Sequence, residues 1–158
     1  MKLIHYSDAP FVLNKTMVYE NRCFGMDSSG PKPNGLWVSV EDAWKNWCLD
    51  ELFYLEYIKH CSEVVIKPDA NILTMSTEEE LFSFSDKYPI EASYFSGLGY
   101  VDWSAVTKDY GGVIIAPYLW GCRNNQKSMW YYGWDVASGC IWDLACIEGV
   151  YLMDYSCS

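Results

Sequence analysis

The sequence predicts an α+β domain, with helices and strands mingled along the chain rather than segregated into blocks. Three observations carry that expectation. Short apolar runs of β-favouring residues recur between turn residues. Helix-start patterns, a hydroxyl residue followed by acidic ones, interrupt those runs. No internal repeat, low-complexity tract or linker divides the chain, so residues 1–158 are expected to form a single domain. A chain of 158 residues can bury a sizeable core without disulfides or metal.

The first strand is expected over Lys2 to Tyr6, ended by the turn residues Ser7-Asp8-Ala9-Pro10. A less regular stretch runs to Pro33, and its Asp27-Ser28-Ser29-Gly30-Pro31 portion reads as an exposed loop of the kind that often serves as a lid. Lys32-Pro33-Asn34-Gly35 is turn chemistry, because proline fixes φ and glycine permits φ > 0. Leu36-Trp37-Val38 then reads as a buried strand. Ser39, with Asp42 three residues on, reads as the start of a helix to about Leu49 that carries Trp44, Trp47 and Cys48 on one face. Leu52 to Tyr57 is equally compatible with helix and strand.

Ser62 to Ile66 and Asn71 to Met75 are expected as two short strands around the Lys67-Pro68-Asp69-Ala70 turn. Ser76-Thr77-Glu78-Glu79-Glu80 caps the next helix, which directs Leu81, Phe82 and Phe84 to the core and ends near Tyr88-Pro89. Asp102 to Tyr110 is a third short helix stopped by Gly111-Gly112, and Val113 to Tyr118 a strand buried on both faces. Met129 to Trp134, Gly139 to Trp142 and Gly149 to Met153 complete the expected strands.

Composition narrows the function classes. Hydrophobic residues at 51% and aromatics at 17% belong to a folded protein. The net charge of -10 disfavours a nucleic-acid partner held through its phosphates, and a protein acting on small molecules or proteins fits better. Neither a signal nor a transit peptide is read at Met1 to Ser7, and no window approaches the roughly 18 apolar residues of a membrane helix. The seven cysteines are scattered and lack a C-x-x-C pair, which suits reduced thiols in a cytoplasm, and with only His5 and His60 available a metal site is not expected.

Other chemistries find little support. Gly97-Leu98-Gly99-Tyr100 lacks the third glycine of a dinucleotide-binding loop, and there is no Walker sequence. Ala137-Ser138-Gly139 is not a nucleophile elbow, and His60 and Cys61, adjacent in sequence, are poorly disposed to pair.

Three separated pieces, His5-Tyr6 on a first strand, Gly35-Leu36-Trp37-Val38-Ser39 on a second, and Asp135 to Trp142 near the end, resemble the layout of the ADP-ribosyltransferase fold. The middle of the chain, from Val64 to Phe84 and from Asp102 to Tyr118, is similar to small members of that group from bacteria and their phages. The resemblance implies two packed, mainly antiparallel sheets with a few short helices. It also implies NAD as co-substrate, transfer of ADP-ribose to a protein or small-molecule acceptor, release of nicotinamide, and a cytoplasmic setting, the host's if the chain is phage-encoded.

Breaking the nicotinamide–ribose bond builds positive charge on the sugar, as in glycoside hydrolysis, so a facing carboxylate stabilises the transition state more than the ground state. His5 matches the family's first-strand residue that hydrogen-bonds a ribose hydroxyl. Taken alone, it reads as a satisfied core histidine ahead of a ligand-binding one. Tyr6 points to the opposite face and is read as packing beside the dinucleotide. Trp37 and Ser39 share a strand face, so Trp37 can stack while Ser39 bonds a sugar or amide, although a core tryptophan and a capping serine fit as well. Trp44 is a candidate wall residue, although a core aromatic at helical spacing fits it better, and Ser138 completes the expected cofactor-binding set.

Asp135 is the expected catalytic acid, chosen ahead of Asp143 and Glu148, in a position where the family has a glutamate. Its shorter side chain requires the strand to approach the sugar more closely. The alternative function is a catalytically inactive module of the same fold that binds a nucleotide or a protein, for example an inhibitor of a host protein.

Overall fold

A computed structural model describes residues 1–25, 30–91 and 93–153. Among the described residues, seven strands form one sheet in the order β4-β5-β6-β2-β1-β3-β7. They are β1 (Leu3–Ser7), β2 (Leu36–Val40), β3 (His60–Ile66), β4 (Ile72–Met75), β5 (Gly112–Ile115), β6 (Ser138–Ile141) and β7 (Ile147–Leu152). Every described pairing is antiparallel except β4 with β5. Helices α1 (Ala43–Glu51), α2 (Glu78–Lys87) and α3 (Trp103–Asp109) complete the α+β architecture.

The expected two packed sheets are instead one. β2 pairs with β1 on one side and with β6 on the other, so it hydrogen-bonds what would have been two sheets into a continuous one. Alternation along the strands sorts the core into two layers. Val113, Ile115 and Cys140 face a layer built from α2, α3 and the buried Trp103, Trp130 and Trp134. Ile114, Ile141, Leu36 and Val38 face the other layer, with Leu3, Val64 and Ile147.

Local chemistry explains most boundaries. α2 starts with a capping box: Glu80 N–H donates to Thr77 Oγ1 at 3.2 Å, and Thr77 N–H donates to Glu80 Oε2 at 3.1 Å. Asp102 Oδ1 accepts the Ser104 N–H at 3.0 Å and opens α3. β5 is buried at all four positions and ends before Ala116-Pro117, short of the expected Tyr118.

Three local expectations are corrected. Met129–Gly133 is a 3₁₀ helix, not a strand, and it sends Trp130 and Tyr131 into the same core layer, with Trp103 and Trp134. An alternating strand would send these two neighbours to opposite faces. Gly35 has no positive φ, and its need is steric: a Cβ there would lie 2.6 Å from Cys140 Sγ and 2.7 Å from the Ile141 carbonyl oxygen. Ser39 does not begin the helix but lies inside β2, and α1 starts at Ala43. The expected exposed loop at Asp27-Ser28-Ser29 lies outside the described residues.

Candidate functional site

A cleft of about 310 Å³ opens on the tryptophan-rich face of the sheet. Its cause lies in the strand register. β1 and β2 pair only at Leu3↔Val40 and Ile4↔Ser39, and beyond these the two strands part. α1 walls one side through Trp44, and the segment Trp134 to Val136 leading into β6 walls the other. All seven residues expected from the sequence, His5, Tyr6, Trp37, Ser39, Trp44, Asp135 and Ser138, line this cleft.

Register divides them differently from the expectation. Ile4 stands opposite Ser39, and Ser39 opposite Ser138, so Ile4, Tyr6, Trp37, Ser39 and Ser138 share the cleft face. His5 belongs to the other face, where its ring meets Phe11 at 4.4 Å between centroids. It reaches the cleft through the gap between the parted strands, and its Nδ1 lies 2.8 Å from the Trp37 carbonyl oxygen. A carbonyl can only accept, so Nδ1 carries the proton and Nε2 is left as an acceptor. Burial lowers the His5 pKa, only partly opposed by that hydrogen bond, and keeps the ring neutral at pH 7.

The two serines have committed their protons. Ser39 Oγ donates to the Glu41 carbonyl at 2.9 Å and accepts the Trp44 N–H at 2.9 Å, which ties the start of α1 to β2. Ser138 Oγ donates to the Val136 carbonyl at 2.9 Å. Toward a ligand both hydroxyls act as acceptors, suited to a sugar hydroxyl or an amide N–H. Tyr6 donates its hydroxyl to Asp42 Oδ1 at 2.8 Å, which fixes the ring beside the cleft.

Cations near the acid were not anticipated. Arg123 Nη2 lies 3.4 Å from Asp135 Oδ1, with both side chains about one-quarter to one-third exposed (31% and 26%). Lys32 Nζ sits 5.0 Å over the Trp37 ring, and Trp37 meets Trp134 edge-on at 4.8 Å. Lys32 is exposed along part of its side chain, yet protein packed around the ammonium lowers its pKa, a shift that the nearby Asp135 carboxylate opposes. Lys32 stood in the turn before β2, but a lone lysine in a turn gives no sign of a ligand, and Arg123 had no motif at all. Tyr57 also lines the cleft, from the segment that sequence left between helix and strand.

No family model, curated protein or solved structure matches this chain.

The two remaining acid candidates lie elsewhere. Asp143 caps the 3₁₀ turn Leu144–Cys146 by accepting the Ala145 N–H at 3.0 Å, and Glu148 is exposed on β7; neither lines the cleft. The Cys140 thiol, close beneath Trp37 on β6, is pushed far above its ordinary value by burial and stays protonated. Among the described residues no cluster of three or more His, Cys, Asp or Glu side chains is placed to hold a metal ion. No helix of the described residues is long and apolar enough to cross a membrane.

Proposed function

We propose that the chain is an NAD-dependent ADP-ribosyltransferase whose site is the cleft between β1, β2 and α1. The observation that carries the reading is convergence: residues expected from three distant stretches of sequence meet in one cleft at the parting of two strands. The cleft volume, about 310 Å³, lies at the lower end of small-molecule sites and suits the nicotinamide–ribose end of the dinucleotide rather than all of it.

In this reading Trp37 and Trp44 provide apolar faces for the nicotinamide ring. Neutral His5 accepts a ribose hydroxyl through Nε2, and Ser39 and Ser138 accept from sugar or carboxamide donors. Asp135 faces the ribose as positive charge develops and nicotinamide departs, and its field stabilises the oxocarbenium-like transition state. The acceptor's nucleophile then takes the ribose carbon from the face opposite the leaving group.

One observation favours the second reading, a nucleotide-binding module without turnover. Asp135 is already paired with Arg123, and a carboxylate that shares its charge with a guanidinium offers less of it to a developing cation. Labelled NAD separates the two. Transferase activity predicts nicotinamide release that falls at least about a hundredfold in Asp135→Asn, with a smaller loss in His5→Ala. Release that neither substitution changes would remove the cleft as the site, whereas NAD binding without release would select the module.

A further inference from the structure

The chain from Glu51 to Tyr57 is exposed at every position, although five of these seven residues are large and apolar. Leu52, Phe53, Tyr54, Leu55 and Tyr57 are 42–76% exposed, and Ile58 is the first residue after them to enter the core. Single exposed apolar side chains need no explanation, but a contiguous group does.

The backbone is bent to hold them outward. Leu52 and Tyr54 have φ of +53° and +54°, the left-handed region that side chains other than glycine rarely occupy. The aromatic rings are in mutual contact. Trp47 stacks on Trp44 at 5.0 Å, Trp44 on Tyr54 at 6.1 Å, and Tyr54 meets Phe53 at 4.5 Å and Tyr57 at 5.9 Å. The ridge therefore adjoins the cleft, to whose wall Trp44 and Tyr57 both contribute.

Charge selects the occupant. From Trp44 to Ile58, the span of the ridge, the chain carries Asp50, Glu51 and Glu56 against the single cation Lys45, and Lys59 follows. We infer that this ridge is a docking surface for a basic segment of another protein, one that alternates apolar and Lys or Arg side chains. Aromatic faces bordered by carboxylates hold such cations through cation–π and ionic contacts together, while the apolar residues of the partner cover Leu52 and Phe53. A second copy fits poorly, because a two-fold contact sets the same three acids against themselves. An anionic lipid surface is disfavoured for the same reason.

The inference stands on the ridge and its charge, not on what occupies the cleft. A partner docked there lies beside the cleft mouth, which gives the site a way to choose a protein by a surface outside the reacting centre.

The test measures binding of a short synthetic peptide alternating Arg and Leu, and of its Glu-for-Arg counterpart, by isothermal titration calorimetry. The Arg peptide is expected to bind and the Glu peptide not. Affinity is expected to fall at least about tenfold in Leu52→Gly/Phe53→Ser and in Glu51→Lys/Glu56→Lys. Leu52→Gly relieves a left-handed residue, so the melting temperature of the first variant shows that it is folded. Equal binding by either variant, no binding of the Arg peptide, or equal binding of both peptides overturns the inference. So does a wild-type dimer in sedimentation equilibrium that Leu52→Gly/Phe53→Ser dissolves, because the occupant is then a second copy.

Discussion

His5 donates its Nδ1 proton to the carbonyl of Trp37 at 2.8 Å, across the point where β1 and β2 stop pairing. This hydrogen bond closes the floor of the cleft and satisfies a carbonyl that the interrupted ladder leaves without a β1 partner. It also fixes the tautomer, so the one histidine in the site presents an acceptor rather than a donor. The same arrangement makes the protonation state of His5 part of the stability of the fold.

That linkage has a definite sign. Burial holds the folded-state pKa of His5 below its ordinary value of about 6.5, so below that pH the unfolded chain binds more protons than the folded one. The contribution is present above about pH 6.5 and is lost as pH falls through the folded pKa. Denaturant midpoints are expected to drop as pH falls below about 6.5, and less so in His5→Gln. Titration of the imidazole carbon proton by NMR is expected to give a midpoint below 6.5. A midpoint at about 6.5 would place the ring in solvent.

Much of the sheet was legible because buried strands announce themselves by composition. Val113-Ile114-Ile115 and Leu36-Trp37-Val38 are short β-favouring runs bounded by turn residues, and the Thr77–Glu80 box sets the start of α2 on local chemistry alone. Met129 to Trp134 misled because Trp and Tyr favour strands on average, while here two successive rings enter the same core layer, which an alternating strand cannot arrange. Ser39 was ambiguous for a physical reason. It is a strand residue whose hydroxyl reaches forward to the Trp44 N–H, so it caps a helix it does not belong to. The convergence on the cleft was expected only through the family resemblance, and the faces were not legible at all. Whether His5 or Tyr6 lies beside Trp37 depends on register, and register is a property of paired strands rather than of either segment.

Trp37 and Trp130 separate site from core. Trp130 is fully buried, packs on Phe84, Trp103 and Trp134, and donates to Ser85 Oγ at 2.8 Å. Trp130→Ala is expected to cost about 3–5 kcal/mol and to compromise folding. Trp37 is only half-buried, so Trp37→Ala is expected to cost about 2 kcal/mol, leave a cooperative transition and weaken NAD binding. Urea unfolding with calorimetric titration of NAD reads both. Loss of the cooperative transition in Trp37→Ala would make this residue part of the core.

Arg123 tests whether its pairing restrains Asp135. The pair is partly exposed, so Arg123→Met is expected to change stability by less than about 1 kcal/mol. If Asp135 is the catalytic carboxylate, freeing it is expected to raise the turnover number at saturating NAD several-fold. A fall in that number, with the Michaelis constant unchanged, would instead give Arg123 a place in the transition state.

Leu52 offers a change that stabilises by subtraction. The residue follows α1, takes a left-handed conformation and donates its N–H to the Cys48 carbonyl, a role usually filled by glycine. The side chain is 76% exposed and makes little packing to lose. A left-handed leucine costs about 1–2 kcal/mol, and glycine returns part of that through the greater freedom of its unfolded chain, about 0.5–1 kcal/mol. Leu52→Gly is therefore expected to stabilise by about 0.5–1 kcal/mol, a rise of roughly 1–3 °C in Tm. Leu52→Ala keeps the Cβ and with it the conflict, so it is expected to gain nothing. Equal effects of the two substitutions in thermal unfolding would show that the side chain, and not the backbone, sets the stability at this position.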